Sequence, residues 1–314
     1  EDQSLSHLNQ ALKIAEEIKS RAALWLAVYC LWSHHTENCE FEKVDKEYER
    51  LLGWSKAAND ISSISYLKAY FSAMVYAPQG RIDLALETSR EALKIAMTCN
   101  DRVKCVAYFG SGVAKFTKGS FDEAEENLLK SVEFCEKSGS FFYGAFATAY
   151  LSWIYFELEN YQKALHFLNE GVLLLERSGA FSEFSFIIKS LLAATRLLNG
   201  HKDIDLNELL EFYERTNTKQ IKIAIAYNIG IILINIDDQH VIETEDWFLQ
   251  MILACETSTM RILLARFNAL YSQYFKRQEN LPKAREHMNK AIEIMKECGA
   301  DGWVEIYEKK LAEL

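Results

Sequence analysis

In FDEAEENLLKSVEFCEKSG (121–139), the apolar residues Phe121, Ala124, Leu128, Leu129, Val132 and Cys135 recur at steps of three and four. That is the stripe of a helix lying on a core. The stretch ends in Glu136-Lys137-Ser138-Gly139, a cation in the last turn followed by a glycine free to take positive φ. The next run, FFYGAFATAYLSWIYFELEN (141–160), is apolar around more of its circumference and closes at the polar pair Glu159-Asn160. Two helices of about 16 residues, each about 24 Å long, with two short links, make a hairpin of about forty residues.

The same pattern recurs at steps of about forty, anchored on Ala11, Leu51, Ala92, Ser131, Gly171, Glu211, Met251 and Ala291. The residue after each anchor is apolar in every case: Leu12, Leu52, Leu93, Val132, Val172, Phe212, Ile252 and Ile292. In a chain that is 49% hydrophobic, such agreement marks a repeat. Seven residues before each anchor stand Ser4, Val44, Ala85, Ala124, Ala164, Ile204, Thr244 and Ala284, with Ile204 and Thr244 in units that lack the small pair. The segment ALKIA is written twice, at 11–15 and 92–96, and Gly139, Gly179 and Gly299 fall in step. Small residues seven apart lie two turns up one helix face, where a neighbouring helix can approach closely. A hairpin of this kind buries its stripe only by stacking on the next, so the period predicts a solenoid. The expectation is an all-α, right-handed α-α superhelix of about 16 helices in one repeat domain spanning 1–314. A helix at 4–18 comes first, then seven hairpins over about 21–297 and a closing helix at 302–313. The chain starts mid-unit, which reads as a piece of something longer.

Small-x6-small, an aromatic or large apolar residue three before the first small one, and a turn glycine are together similar to the tetratricopeptide family. The units with Gly112, Gly119, Phe121, Ala124 and Ser131, and with Leu151, Tyr155, Tyr161, Ala164 and Gly171, carry the likeness best. A forty-residue unit resembles the lengthened variant. That variant occurs in bacterial peptide receptors, in cargo adaptors, and in the sensor of the maltose-operon activator and related bacterial signalling ATPases. KECGADGWVEIYEKKLAEL (296–314) resembles the close of such a region. The resemblance implies that the first helix of each hairpin lines a concave groove. Tyr29, Tyr70, Phe109, Phe146, Tyr150 and Trp153 would form an aromatic half, and Lys189, Arg196, Arg266, Gln273 and Lys276 a basic and polar half. The rings either meet a ligand or pack against the superhelix itself or a second copy. The lysine–asparagine clamp of chaperone-binding relatives is unmatched, since Ala149 and Ala269 stand at its lysine position.

Composition changes the picture only by exclusion. Two prolines and 13 glycines in 314 residues leave little turn punctuation for a β or α/β chain. A net charge of −10 without a basic block argues against nucleic acid as a partner. The most apolar run, IAIAYNIGIILINI (223–236), is 14 residues long and holds two asparagines, which predicts a buried helix and no membrane span. Seven scattered cysteines without a CxxC pair read as free thiols of a cytoplasmic protein. GSGVAKFTKGS (110–120) lacks the Gly-Lys-Ser/Thr ending of a nucleotide loop, and the pair His34-His35 has no metal spacing around it. No cofactor, metal or catalytic constellation is expected.

The function expected is therefore non-catalytic: a module of a larger signalling or regulatory protein that binds a peptide, protein or small effector in its groove. Its partner could also be an adjoining domain of its own chain, or a second copy in a homodimer. The alternative is a passive scaffold or oligomerisation module. The register itself is testable: Ala124→Leu puts three extra carbons at a close helix contact and should cost about 1–3 kcal/mol in a urea or thermal melt. An unchanged melt would mean the repeat is set in the wrong register.

Overall fold

A computed structural model describes residues 3–179, 183–236 and 241–314. Among these the chain forms sixteen helices and no strand. They are α1 (Gln3–Glu17), α2 (Arg21–Glu37), α3 (Phe41–Ala57), α4 (Ile61–Phe71), α5 (Ile82–Ala96), α6 (Asp101–Lys118), α7 (Phe121–Ser138) and α8 (Phe141–Glu157). Then come α9 (Tyr161–Ser178), α10 (Phe184–Leu198), α11 (Leu206–Arg215), α12 (Lys219–Ile236), α13 (Val241–Thr257), α14 (Arg261–Arg277), α15 (Leu281–Cys298) and α16 (Asp301–Ala312). They wind as a tetratricopeptide-like α-α superhelix. Even-numbered helices line its concave side and odd-numbered ones its outside, apart from the end helices.

Most links share one construction, a left-handed residue after a helix: Lys19, Cys39, Asn59, Gly80, Gly119, Gly139, Glu159, Gly179, Gly200, Thr259, Glu279 and Gly299 have positive φ. The α5–α6 and α11–α12 links turn without one, at Asn100 (φ −71°) and Thr216 (φ −79°). At Gly119 the turn closes with Gly119 N–H on the Phe116 carbonyl at 2.9 Å and Ser120 N–H on that of Lys115 at 3.0 Å, so the helix-end carbonyls are satisfied. Several links end in a side-chain cap, in which Ser20, Asp60, Asn100, Asn160, Asp205 or Asn280 accepts the backbone N–H three residues on.

The small residues sit where the helices come closest. Ala85, Ala92, Ala124, Ser131, Ala164, Ala284 and Ala291 are fully buried. Hydroxyls bridge these contacts: Ser65 to the Ala92 carbonyl (2.8 Å), Ser72 to Ala85 (2.7 Å), Ser131 to Cys105 (2.9 Å) and Ser272 to Ala284 (2.7 Å). In the units without the small pair, α11 is shortened to ten residues and Ile204 precedes it, whereas in α13 Thr244 and Met251 are still buried. The apolar run 223–236 lies within the 18-residue α12, a helix long and apolar enough to cross a membrane, with 67% of it buried inside the fold.

Ten helices, or five hairpins, bring the superhelix round onto itself. α12 meets α2, α14 meets the end of α4, and α16 meets α6. Pro78 organises one of these contacts. A π turn (Ser72–Tyr76) ends α4, and Pro78 has no N–H to offer the Met74 carbonyl four residues back. Gln220 Nε2 of α12 donates to that carbonyl at 3.4 Å, and the Pro78 carbonyl accepts Ile262 N–H from the first turn of α14 at 3.3 Å. At the other contact, the fully buried Trp303 donates its indole N–H to the Phe116 carbonyl (2.9 Å) and sets its ring edge-on to Phe116 and Phe121. Lys118 Nζ donates to the Gly299 carbonyl (2.7 Å) and to the Asp301 carboxylate (2.5 Å). The backbones touch at Gly119 and Gly302, where a Cβ on Gly302 would lie 2.3 Å from the Gly119 carbonyl oxygen.

Gly302→Ala should therefore force the two turns apart locally. A loss of about 1–3 kcal/mol is expected, with faster amide exchange confined to α16 and the end of α6. Uniformly faster exchange along the chain, or none, would show that this contact does not hold the turns together.

Candidate ligand cavity on the concave face

Seven helices in succession contribute to one cavity of about 250 Å³. The contributors are Tyr29, Ser33 and Glu37 from α2; Tyr70, Met74, Ala77 and Pro78 from α4 and its turn; and Phe109, Phe116 and Thr117 from α6. α8 supplies Phe142, Tyr143, Phe146, Ala149, Tyr150 and Trp153, spaced to keep one face inward along its length. The far wall is Phe184 and Ile187 of α10; Gln220, Ile221 and Ala224 of α12; and Met260, Ile262, Leu263 and Arg266 at the start of α14. Of the lining residues, Glu37 and Arg266 are the charged ones.

The aromatic wall is continuous. Phe109 meets Tyr143, Phe146 and Tyr150 with ring centroids 5.8–6.2 Å apart, Tyr150 meets Phe116 and Trp153 at 5.4 and 5.3 Å, and Phe146 stacks on Phe184 at 3.6 Å. Tyr29 and Tyr66 hydroxyls lie 2.8 Å apart, and Tyr66 also bonds Tyr143. Burial pushes the Tyr150 hydroxyl up to about 12 against the nearby Arg266 charge, and it raises Tyr29 and Tyr70 as well. At neutral pH these groups are neutral hydrogen-bonding partners.

Arg266 is 1% exposed. Its Nη2 donates to Glu157 Oε1 at 2.7 Å, and the Glu157 side chain is 7% exposed, so both members of this ion pair are buried. Four rings surround the guanidinium carbon: Tyr227 (4.5 Å), Trp153 (5.0 Å), Trp303 (5.4 Å) and Phe116 (6.0 Å). Burial works against the charge, but Tyr227 and Glu157 more than offset it and hold the guanidinium above its ordinary range. Elsewhere in the lining, Glu37 accepts from Ser33 Oγ at 3.2 Å, and burial, with Glu183 nearby, raises its carboxyl. Burial pushes the Cys39 and Cys135 thiols up to about 11, away from the reactive thiolate. Among the described residues no cluster of three His, Cys, Asp or Glu could hold a metal, and all seven cysteines are free.

Of the residues singled out from sequence, Tyr29, Tyr70, Phe109, Phe146, Tyr150, Trp153 and Arg266 come together here. Lys189, Arg196, Gln273 and Lys276 do not, which corrects the expected basic half of the groove. α10 repeats the cavity positions of α8 with a one-residue slip: Tyr143 and Phe146 are followed by Phe184 and Ile187, 41 positions on. One residue turns a helical side chain by about 100°. Lys189 consequently matches Thr148, which faces the odd-numbered partner helix, and it lies exposed over the Phe212 ring at 5.3 Å. Arg196 and Lys276 fall in the last turns of α10 and α14 and are exposed, Lys276 reaching the Glu313 carbonyl at 3.3 Å. Glu37, Phe116, Phe142, Phe184 and the buried Glu157 were missed. The signal for Glu157 was its place inside the apolar run WIYFEL, where a carboxylate needs a partner.

No protein-family model matches this sequence, and no curated protein matches it. Solved structures do resemble its fold. The apo form of RapI aligns with TM-score 0.58 at 15% identity, covering 87% of this chain and 97% of that one. NprR in complex with its cognate peptide NprX aligns with TM-score 0.56 at 16% identity, covering 95% and 82%.

The buried pair makes a clear energetic prediction. Arg266→Leu leaves Glu157 uncompensated and should cost about 3–5 kcal/mol, whereas the double change Arg266→Leu/Glu157→Leu should recover most of that loss. Urea unfolding of the cycle checks it. Additive costs would mean the two charges are not coupled.

Proposed function

We propose that this chain is a non-catalytic peptide-receptor module whose ligand lies against the aromatic wall of the concave cavity. The observation that carries the reading is that cavity: seven even-numbered helices converge on one ring-lined space whose lining is charged at only two points. Rigid amphipathic rings give a peptide large contact area at little entropy cost. The similarity in fold to NprR, a protein crystallised with its cognate peptide, supports the same use of the concave side here. The proposal includes the setting implied by the resemblance to lengthened tetratricopeptide repeats, a cytoplasmic regulatory protein with further domains, of the kind that includes the maltose-operon activator and signalling ATPases.

At about 250 Å³ the cavity is below the roughly 300–1,000 Å³ usual for small-molecule sites. An extended peptide thus needs the second superhelical turn to move on the first. Small rotations at many inter-repeat interfaces add along the array, and the ligand selects the wider pitch by its greater affinity for it. The event passes to a neighbouring domain as a change in pitch. A passive scaffold would bind without that change.

The test is affinity selection from a pooled synthetic pentapeptide library, using the chain and its Tyr150→Ala/Trp153→Ala form, both verified as folded by circular dichroism. Peptides retained by the first and depleted at least about tenfold on the second are expected. Equal retention would move the contact off the aromatic wall. Small-angle scattering with a selected peptide at saturation then separates switch from scaffold: an unchanged radius of gyration would leave only the scaffold.

A further inference from the structure

Two buried hydrogen-bond donors in the cavity wall have no acceptor: the Nε–H of Arg266 and the indole Nε1–H of Trp153. Buried donors in folded proteins are nearly always paired, and an orphan on a charged group is the costliest kind. These two belong to neighbouring side chains, with the guanidinium carbon 5.0 Å from the Trp153 ring, and both side chains line the same space. Glu157 engages Nη2 of Arg266 and leaves Nε open. Both N–H groups are covered at rest, so the proposal requires the half-buried Trp153 side chain to move when an acceptor binds.

Resting on the peptide-receptor reading, we propose that the ligand carries a carboxylate and that Arg266 Nε–H and Trp153 Nε1–H receive it. A two-oxygen acceptor can serve two neighbouring unpaired donors, one of them cationic. A phosphate fits less well. Glu157 already neutralises Arg266, so a carboxylate leaves one net negative charge there and a phosphate monoester about −1.5 to −2, in a wall otherwise made of Phe116, Tyr227 and Trp303. The other charged lining residue, Glu37, repels an anion, so the acid group is directed to the Arg266 end.

The direct readout is ¹⁵N–¹H NMR of the arginine Nε–H and tryptophan indole N–H signals, with Trp153 assigned through Trp153→Phe. The first probes are N-acetyl-leucine, anionic at pH 7, and its neutral analogue N-acetyl-leucinamide. The acid is expected to shift both signals and to bind at least about tenfold more tightly than the amide. Glu157→Gln should tighten the acid and leave the amide unchanged, an effect that a purely structural Arg266 would not produce. Trp153→Phe, which keeps the ring and removes the donor, should reduce the preference for the acid. Two pentapeptide pools then locate the group. Binding by free acids lacking Asp and Glu assigns a C-terminal carboxylate, and binding by C-terminal amides containing Asp or Glu assigns a side chain.

Equal affinity of acid and amide, with shifts at Tyr70 and Phe146, would overturn the carboxylate subsite and leave the peptide cavity standing. No shift at any cavity residue with any pool would overturn both.

Discussion

The whole arrangement depends on the seating of the second superhelical turn on the first. A string of hairpins contacts only its neighbours, and its pitch is free to vary with each interface. Here the pitch is tight enough that elements ten helices apart touch, and three contacts hold them. The first is Pro78, whose ring frees one carbonyl for Gln220 and whose own carbonyl takes Ile262 N–H. The second is Trp303, closing against Phe116 and Phe121. The third is the meeting of backbones at Gly119 and Gly302, where neither position has room for a Cβ. These contacts bring the two superhelical turns together around the cavity.

The cavity and the seam share their chemistry. Arg266 lines the cavity, pairs with Glu157 at the end of α8, and lies within 5.4 Å of the ring of Trp303, the residue that closes the seam. A group that draws on Arg266 from inside the cavity therefore acts on the same cluster that joins α16 to α6. Buried ion pairs of this kind contribute little net stability, because desolvation consumes most of the attraction. The pair's position at the junction of the site and the seam lets it couple the two. Fold likeness at 15–16% identity carries the architecture only, so this coupling rests on the residues of this chain.

The fold was legible because a repeat writes one local rule many times. Small residues seven apart, an apolar residue after each anchor and a turn at every twentieth position gave hairpin boundaries within a residue or so of α1 and α16. Part of the candidate site was legible for the same reason: Tyr29, Tyr70, Phe109, Phe146, Tyr150, Trp153 and Arg266 stand on first helices of the hairpins and line the cavity. The period failed where the chain slips by one residue, at α10. There the projected Lys189 turned onto the outer face, while Phe184 and Ile187 took the inward places.

The sequence by itself determined the helices and, outside α10, the face that most of them present, since those follow from periodicity and turn chemistry within one hairpin. Only the tertiary structure decided whether the concave side is open or enclosed, which cations reach it, and which carboxylate Arg266 meets. Those outcomes depend on small rotations summed over five hairpins and on contacts between residues far apart in the chain, such as Phe116 and Trp303, 187 positions apart. No local pattern records a sum of that kind.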